Sequence, residues 1–286
     1  MSVQILKMIE GQSLKFGEWL KGKEDQLKAG FSFKDFYLAF SMASRINGSD
    51  KTISGGVVVP WGDMLTMEKW PLSRLGRVYL IIALGRYSRE NLKQVYQQLF
   101  ETATLTELTA LYSALSFLPE PEHYADRAAE GIRTNMGDVF DAVALGNPYP
   151  AKYLPEAAWN QMVLKAVFTN KPLYKIVGID DRANEPLALM LINYAQERWA
   201  AGRPVTPELW RPVGKFLQSE HLPLIENILK GEGTIEHEAA ILACTDSASD
   251  AVKTKVGNHP DVKEKIEEGQ LTWNSLGEKY WANNEA

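Results

Sequence analysis

Apolar residues recur at helical spacing through the opening segment: Ile5, Met8 and Ile9, then Leu14, Phe16, Trp19 and Leu20, then Phe33, Phe36, Tyr37 and Phe40. This spacing predicts three amphipathic helices between Val3 and Arg45. From Asn47 to Asp63 the pattern breaks into Asn-Gly, Ser-Gly-Gly and Pro60-Trp61-Gly62, which no helix tolerates. A long loop or lid is expected over 47–63, with Val57-Val58-Val59 marking a short strand. After Leu72 the apolar positions crowd together as Leu75, Val78, Tyr79, Ile81, Ile82 and Leu84, so that helix belongs in the interior.

Further helical patterns cover 91–101, 105–118, 123–133, 135–145, 156–168, 186–201, 207–217, 223–229, 236–244, 249–256 and 261–267. Pro186 and Pro207 stand where a first helical turn needs no N–H, and Gly146, Gly202 and Gly231 stand where a left-handed cap would end a helix. Alternating strand patterns are nearly absent, and the class is all-α. Helices of about a dozen residues joined by Pro- or Gly-marked turns suggest an irregular α-solenoid of stacked hairpins, HEAT- or armadillo-like, with an irregular helical bundle as the alternative. No linker divides the chain, so one domain is expected over 1–286, with residues 219–286 as weakly attached C-terminal helices.

Composition narrows the function. Of 286 residues, 45% are hydrophobic and 23% charged, the balance of an ordered globular protein. The 31 basic and 36 acidic residues leave a net charge of −5, which gives no global attraction to nucleic acid. The single cysteine, Cys244, excludes an intrachain disulfide and reads as a small buried hydrophobe. Met1 to Trp19 carries Lys7, Glu10, Lys15 and Glu18 where a secretory signal would be apolar, and no stretch is long and apolar enough to span a bilayer. A cytoplasmic location is expected.

The helices at 156–168 and 186–201 are apolar on most faces yet carry polar residues at helical spacing. Asn160 and Lys165 lie on the first, Glu197 and Arg198 on the second. If these helices are central, their charges need partners, and Lys165, Glu197 and Arg198 are candidates to neutralise one another. One reading is a structural network that also draws on Arg133 or Asp181. The other is a ligand pocket with Lys165, Arg198 and Arg203 as anion-binding groups and Glu197 as an acid or base.

Asp180-Asp181 could hold magnesium for a diphosphate, but the pair lies in a turn directly before Pro186, where capping by Asp180 or Asp181, supported by Asn184 or Glu185, is the plainer role. Prolines on both sides of Tyr149 fix that ring reproducibly. The four histidines, His123, His221, His237 and His259, show no zinc-ligand spacing, and no Walker loop or nucleophile elbow occurs. No cofactor is expected.

The segments Asn147-Pro-Tyr-Pro-Ala-Lys-Tyr, Trp159-Asn-Gln-Met-Val-Leu-Lys, Asp181-Arg-Ala-Asn and Tyr194-Ala-Gln-Glu-Arg-Trp-Ala-Ala-Gly-Arg resemble, in order and wording, the EboA family of bacterial and algal metabolite-traffic proteins. Glu130-Gly-Ile-Arg-Thr-Asn, Val139-Phe, Leu209-Trp-Arg and Phe36-Tyr-Leu-Ala-Phe-Ser extend the resemblance over most of the chain. It implies a cytoplasmic helical protein encoded beside a membrane prenyltransferase-like protein and TIM-barrel or sugar-phosphate-cyclase-like enzymes, in clusters that move a secondary metabolite toward the periplasm. No catalytic residue follows from it.

The resulting expectation is a non-enzymatic metabolite-binding or scaffold protein, its partners an isoprenoid or aromatic small molecule and proteins of the same gene cluster. Arg133, Asn135, Asn160, Lys165, Asp181, Arg182, Asn184, Glu197 and Arg198 are expected to line the pocket, with Tyr149 and Trp159 as aromatic walls. The alternatives are an all-α prenyl- or diphosphate-type enzyme with magnesium at Asp180 and Asp181, and a pure helical-repeat adaptor.

Overall fold

The computed structural model describes residues 1–47, 51–231 and 233–284. They are mostly helical, as expected, with one two-stranded sheet. Where one domain is expected, the chain divides into two compact units, Met1–Pro155 and Glu156–Ala286.

The first unit holds α1 (Ser2–Gln12), α2 (Leu14–Ala29), α3 (Phe33–Asn47), strands β1 (Thr52–Val58) and β2 (Met64–Pro71), α4 (Leu72–Tyr87), α5 (Arg89–Thr102), α6 (Leu105–Ala114), α7 (Ala125–Arg133), α8 (Gly137–Ala144) and the short α9 (Tyr149–Tyr153). Helix α4 is the interior helix that its sequence predicts: α1, α2, α3, α5 and α6 all pack on it, and α6 packs on α8. Most of its polar groups are answered by its neighbours, Arg77 Nη1 being a buried exception. Arg77, 2% exposed, donates from Nε to the Phe40 carbonyl at 3.0 Å and lies 3.6 Å from Glu107. The Tyr79 hydroxyl donates to Glu24 of α2. An ion pair this deep contributes little net stability, but losing one partner would strand the other at a cost of several kcal/mol, on the order of 3–5.

The segment expected as a loop or lid over 47–63 is largely an antiparallel hairpin; Gly48, Ser49 and Asp50 lie outside the described residues. Alternation explains it. Ile53 and Val57 on β1 and Leu65, Met67 and Trp70 on β2 are buried while residues between them face outward, with a register shift between Ile53 and Gly55. The hairpin is tied down at Gly146, whose carbonyl accepts from Thr66 N at 2.7 Å. Gly146 has φ +64°, and a Cβ there would sit 2.4 Å from the Thr66 carbonyl oxygen.

The motif after it supports the same joint. Asn147 Oδ1 accepts from Ser116 Oγ at 2.6 Å and from Tyr149 N at 3.0 Å, and its Nδ2 donates to the Ala142 carbonyl at 3.0 Å. Trp61, at the hairpin turn, meets the Tyr153 ring edge-on at 5.2 Å.

The second unit holds α10 (Glu156–Phe168), α11 (Glu185–Ala200), α12 (Leu222–Leu229), α13 (Ile235–Asp246), α14 (Asp250–Lys253), α15 (Pro260–Glu267) and α16 (Trp273–Asn284). The helix expected over 207–217 is instead two 3-10 turns, Pro207–Trp210 and Gly214–Phe216. An α-helix there would need the N–H of residue 212 on the carbonyl of 208, and Pro212 has none. The C-terminal segment expected to be weakly attached supplies α13, which is buried from His237 to Cys244 and packs on both turns, and α16, which the sequence pattern did not reveal.

Glu208 joins these parts. It is fully buried and accepts from Leu173 N at 3.2 Å, Tyr174 N at 2.6 Å and Trp281 Nε1 of α16 at 2.6 Å. Arg211 grips both Asp180 oxygens at 2.7 and 2.6 Å and donates to Asn274 Oδ1 of α16 at 2.9 Å.

Gly146→Ala should lower stability by about 3 kcal/mol, combining left-handed strain with the clash against a backbone atom, as read from the midpoint of urea unfolding. Burial raises the pKa of Glu208 against the opposing effect of its three N–H donors. The folded chain therefore holds that proton more tightly than the unfolded chain. Stability from Glu208 is greatest below the ordinary glutamate range and declines as pH rises from there through the raised value. Thermal melts across that window should show the decline, and Glu208→Gln should remove it.

Candidate functional site

Four of the eleven residues proposed from sequence come together in the second unit, and they form a structural joint. Trp159 of α10 is fully buried, and the Arg182 guanidinium lies 4.7 Å above its ring. Asn160 and Asn184 exchange amide hydrogen bonds of 3.0 and 2.8 Å. Asn184 also caps α11, accepting from Leu187 N at 2.9 Å. Burial lowers the pKa of Arg182, opposed by Glu156, and burial lowers that of Lys165.

The remaining second-unit candidates face outward. Lys165 is half-buried, while Asp181 and Glu197 are exposed. Arg198 spends Nε and Nη2 on the Pro204 carbonyl, at 3.2 and 3.1 Å, closing the turn after α11. The expectation that α10 and α11 carry these charges inward is thus corrected for Glu197. Helix α11 buries Leu187, Ala188, Leu191, Ile192 and Ala195 and leaves Asn193, Gln196 and Glu197 on the opposite face, an ordinary amphipathic arrangement. The helices looked apolar all round because Phe168 and Leu189, 70% and 56% exposed, are apolar residues at the surface.

In the first unit, Arg133 and Asn135 are exposed around the turn between α7 and α8. Tyr149 is fully buried, and its hydroxyl donates to the Pro121 carbonyl at 2.6 Å. Burial raises its pKa, and it packs the interior instead of walling a pocket. Arg211 occupies both oxygens of Asp180, competing for the carboxylate that magnesium would require, and no group of three or more metal-ligating side chains converges among the described residues.

A feature that the sequence reading missed lies where α2 meets α3. A cavity of about 390 Å³ opens there, within the size range of small-molecule sites. Leu27, Phe36, Ala39 and Leu80 line it with apolar surface, and Lys23, Gln26, Ser32 and Asp35 line it with polar groups. Small residues border it: Ala29, Gly30 and Ser32 at the joint and Ala39 nearly two turns into α3, with Leu80 of α4 fully buried beneath them. That run of small residues, next to the Phe36-Tyr-Leu-Ala-Phe-Ser segment, was the signal available in the sequence. A second missed contact is His237 Nε2 against His259 Nδ1 at 3.1 Å, brought together from 22 positions apart.

The profile of a protein family described as "Metabolite traffic protein EboA" matches residues 4–214, nearly three quarters of the chain. The chain belongs to the EboA family. The matched span includes the whole cavity lining, the Asn147 motif, the Asn160–Asn184 joint and Glu208. The segment after residue 214, which carries the Glu208 and Arg211 partners on α16, lies beyond the EboA match. Comparisons with curated proteins and with solved structures find no match. Among the described residues, no helix is long and apolar enough to cross a membrane.

Asn184→Ala should cost about 2 kcal/mol, since it removes the α11 cap and leaves the Asn160 amide without its partner. Circular dichroism in urea would show it. Asp181→Asn should be neutral within about 0.5 kcal/mol, as for other exposed positions.

Proposed function

We propose that this EboA protein is a non-enzymatic carrier that binds a small metabolite in the α2–α3–α4 cavity and acts, with proteins of its gene cluster, in secondary-metabolite traffic toward the periplasm. The observation that carries this reading is the cavity: about 390 Å³ lined in part by the polar Lys23, Gln26, Ser32 and Asp35 has room for a small molecule, and the family description names metabolite traffic. The joint at Trp159, Asn160, Arg182 and Asn184 then serves the second unit's framework. Glu197 and Arg133, both exposed, are placed for contacts with partners.

The adaptor reading is favoured by one observation, the exposure of Phe168 and Leu189 on adjoining helices. Native mass spectrometry of freshly purified protein separates the two. The carrier reading predicts a bound small molecule that disappears in Ala39→Trp, a substitution that fills the cavity, while the thermal transition remains cooperative. A bound protein and no small molecule would overturn it in favour of an adaptor.

A further inference from the structure

Ahead of α7 the chain holds Glu120 at φ +52° and ψ +54°, in the left-handed region, with Pro119 before it and Pro121 after it. A residue before proline prefers extended backbone, and glycine takes the left-handed region most easily, so a glutamate is strained here. Packing fixes both flanks. Pro119 lies over Gly85 of α4, where a Cβ would meet its ring at 3.4 Å, and the Pro121 carbonyl accepts from the buried Tyr149 hydroxyl at 2.6 Å.

Three basic side chains share one small cavity, of about 160 Å³, with Glu120. Arg89 and Lys93 stand one turn apart on the same face of α5, and His123 stands on the 3-10 turn that follows Glu120. Arg89 Nη2 donates to Glu120 Oε1 at 2.5 Å, and His123 Nδ1 lies 3.4 Å from Oε2. Lys93 has no hydrogen-bond or ion-pair partner among the described residues. The neighbouring Glu90 is taken by Ser88 Oγ and Asn91 Nδ2, at 3.1 and 3.0 Å.

The ion pair does not repay the strain. The Arg89 and Glu120 side chains are 59% and 56% exposed, and a pair so well solvated contributes little. It does hold a monoanion among three basic groups. A carboxylate from solution would exchange one monoanion for another and gain nothing. A phosphate monoester brings about −1.5 to −2 charge at pH 7 and three acceptor oxygens, one for each basic side chain. The cavity is smaller than the roughly 300 Å³ at which whole ligands are enclosed, so it suits a phosphate group and leaves the rest of the molecule outside.

We infer that this corner of the first unit binds a phosphate group, free or carried by a small monoester, on Arg89, Lys93 and His123, with the Glu120 carboxylate as an internal plug that the phosphate displaces. The inference stands independently of the α2–α3–α4 cavity.

Proton–nitrogen NMR of the full chain at pH 7 and constant ionic strength, titrated with phenyl phosphate, inorganic phosphate and benzoate, tests this. Phenyl phosphate should shift the Arg89 Nε–H and the Glu120 amide to saturation and bind at least about tenfold more tightly than benzoate. Arg89→Gln should weaken it at least about tenfold, and Glu120→Gln should tighten it at least about fivefold by removing the plug. Both positions lie at the surface, and an unchanged spectrum elsewhere shows that the fold persists. Equal binding of inorganic phosphate supports a site for the free anion, and tighter binding of phenyl phosphate one for the ester. Shifts that do not saturate or that fall away from this corner, benzoate binding as tightly as phenyl phosphate, or no gain in Glu120→Gln would overturn the inference.

Discussion

The first unit depends on covering α4. Eleven of its sixteen residues are buried, so a helix must lie against nearly every face. At about 25 cal/mol per Å² of apolar surface, no arrangement that left one of these faces open would compete with one that closed it. Close approach is built in at Gly76, where a Cβ would stand 2.5 Å from the Phe16 ring of α2. Covering α4 also fixes where its polar groups end: Arg77 needs α3 and Glu107, and Tyr79 needs Glu24. The cavity is a by-product of the same constraint. Helices α2 and α3 must both reach α4, burying Leu80 between them, and the small residues at their joint leave the gap above it.

The second unit is organised differently, around a carboxylate. Glu208 gathers two backbone N–H groups and a tryptophan from segments far apart in sequence, while Arg211 binds the Asp180 turn to α16. A buried carboxylate with three donors is stable only while every donor stays in place. The residues beyond the EboA match are therefore part of this framework: without Trp281 and Asn274, Glu208 and Arg211 would each lose a partner.

What the sequence disclosed follows from the range of the interactions involved. The α4 core and the interruption by glycines at 55 and 56 are local, and their residue types announce them; the α11 cap expected at Asp180 or Asp181 is instead made by Asn184, the residue directly before the helix. The hairpin was only partly legible, because Ile53 and Val57 alternate across a glycine bulge that dilutes the strand pattern. Leu189 and Phe168 misled: apolar residues often face water, and on α10 and α11 they disguised a solvent side. Glu208, the His237–His259 contact and the cavity were out of reach because each is made by residues that only folding brings together. Even so, Gly30 and Ala39 were visible as the small residues that a gap between helices requires.

The central claim is that the joint of α2, α3 and α4 is where this protein holds its small molecule. Methyl-resolved NMR, with leucine and alanine methyls labelled and the low-molecular-weight extract of the protein's own cells as titrant, tests it most directly. The account predicts shifts at Leu27, Ala39 and Leu80 and none at Leu187 or Leu191 of α11. Shifts confined to α11, or no response at Leu27, Ala39 and Leu80, would contradict it.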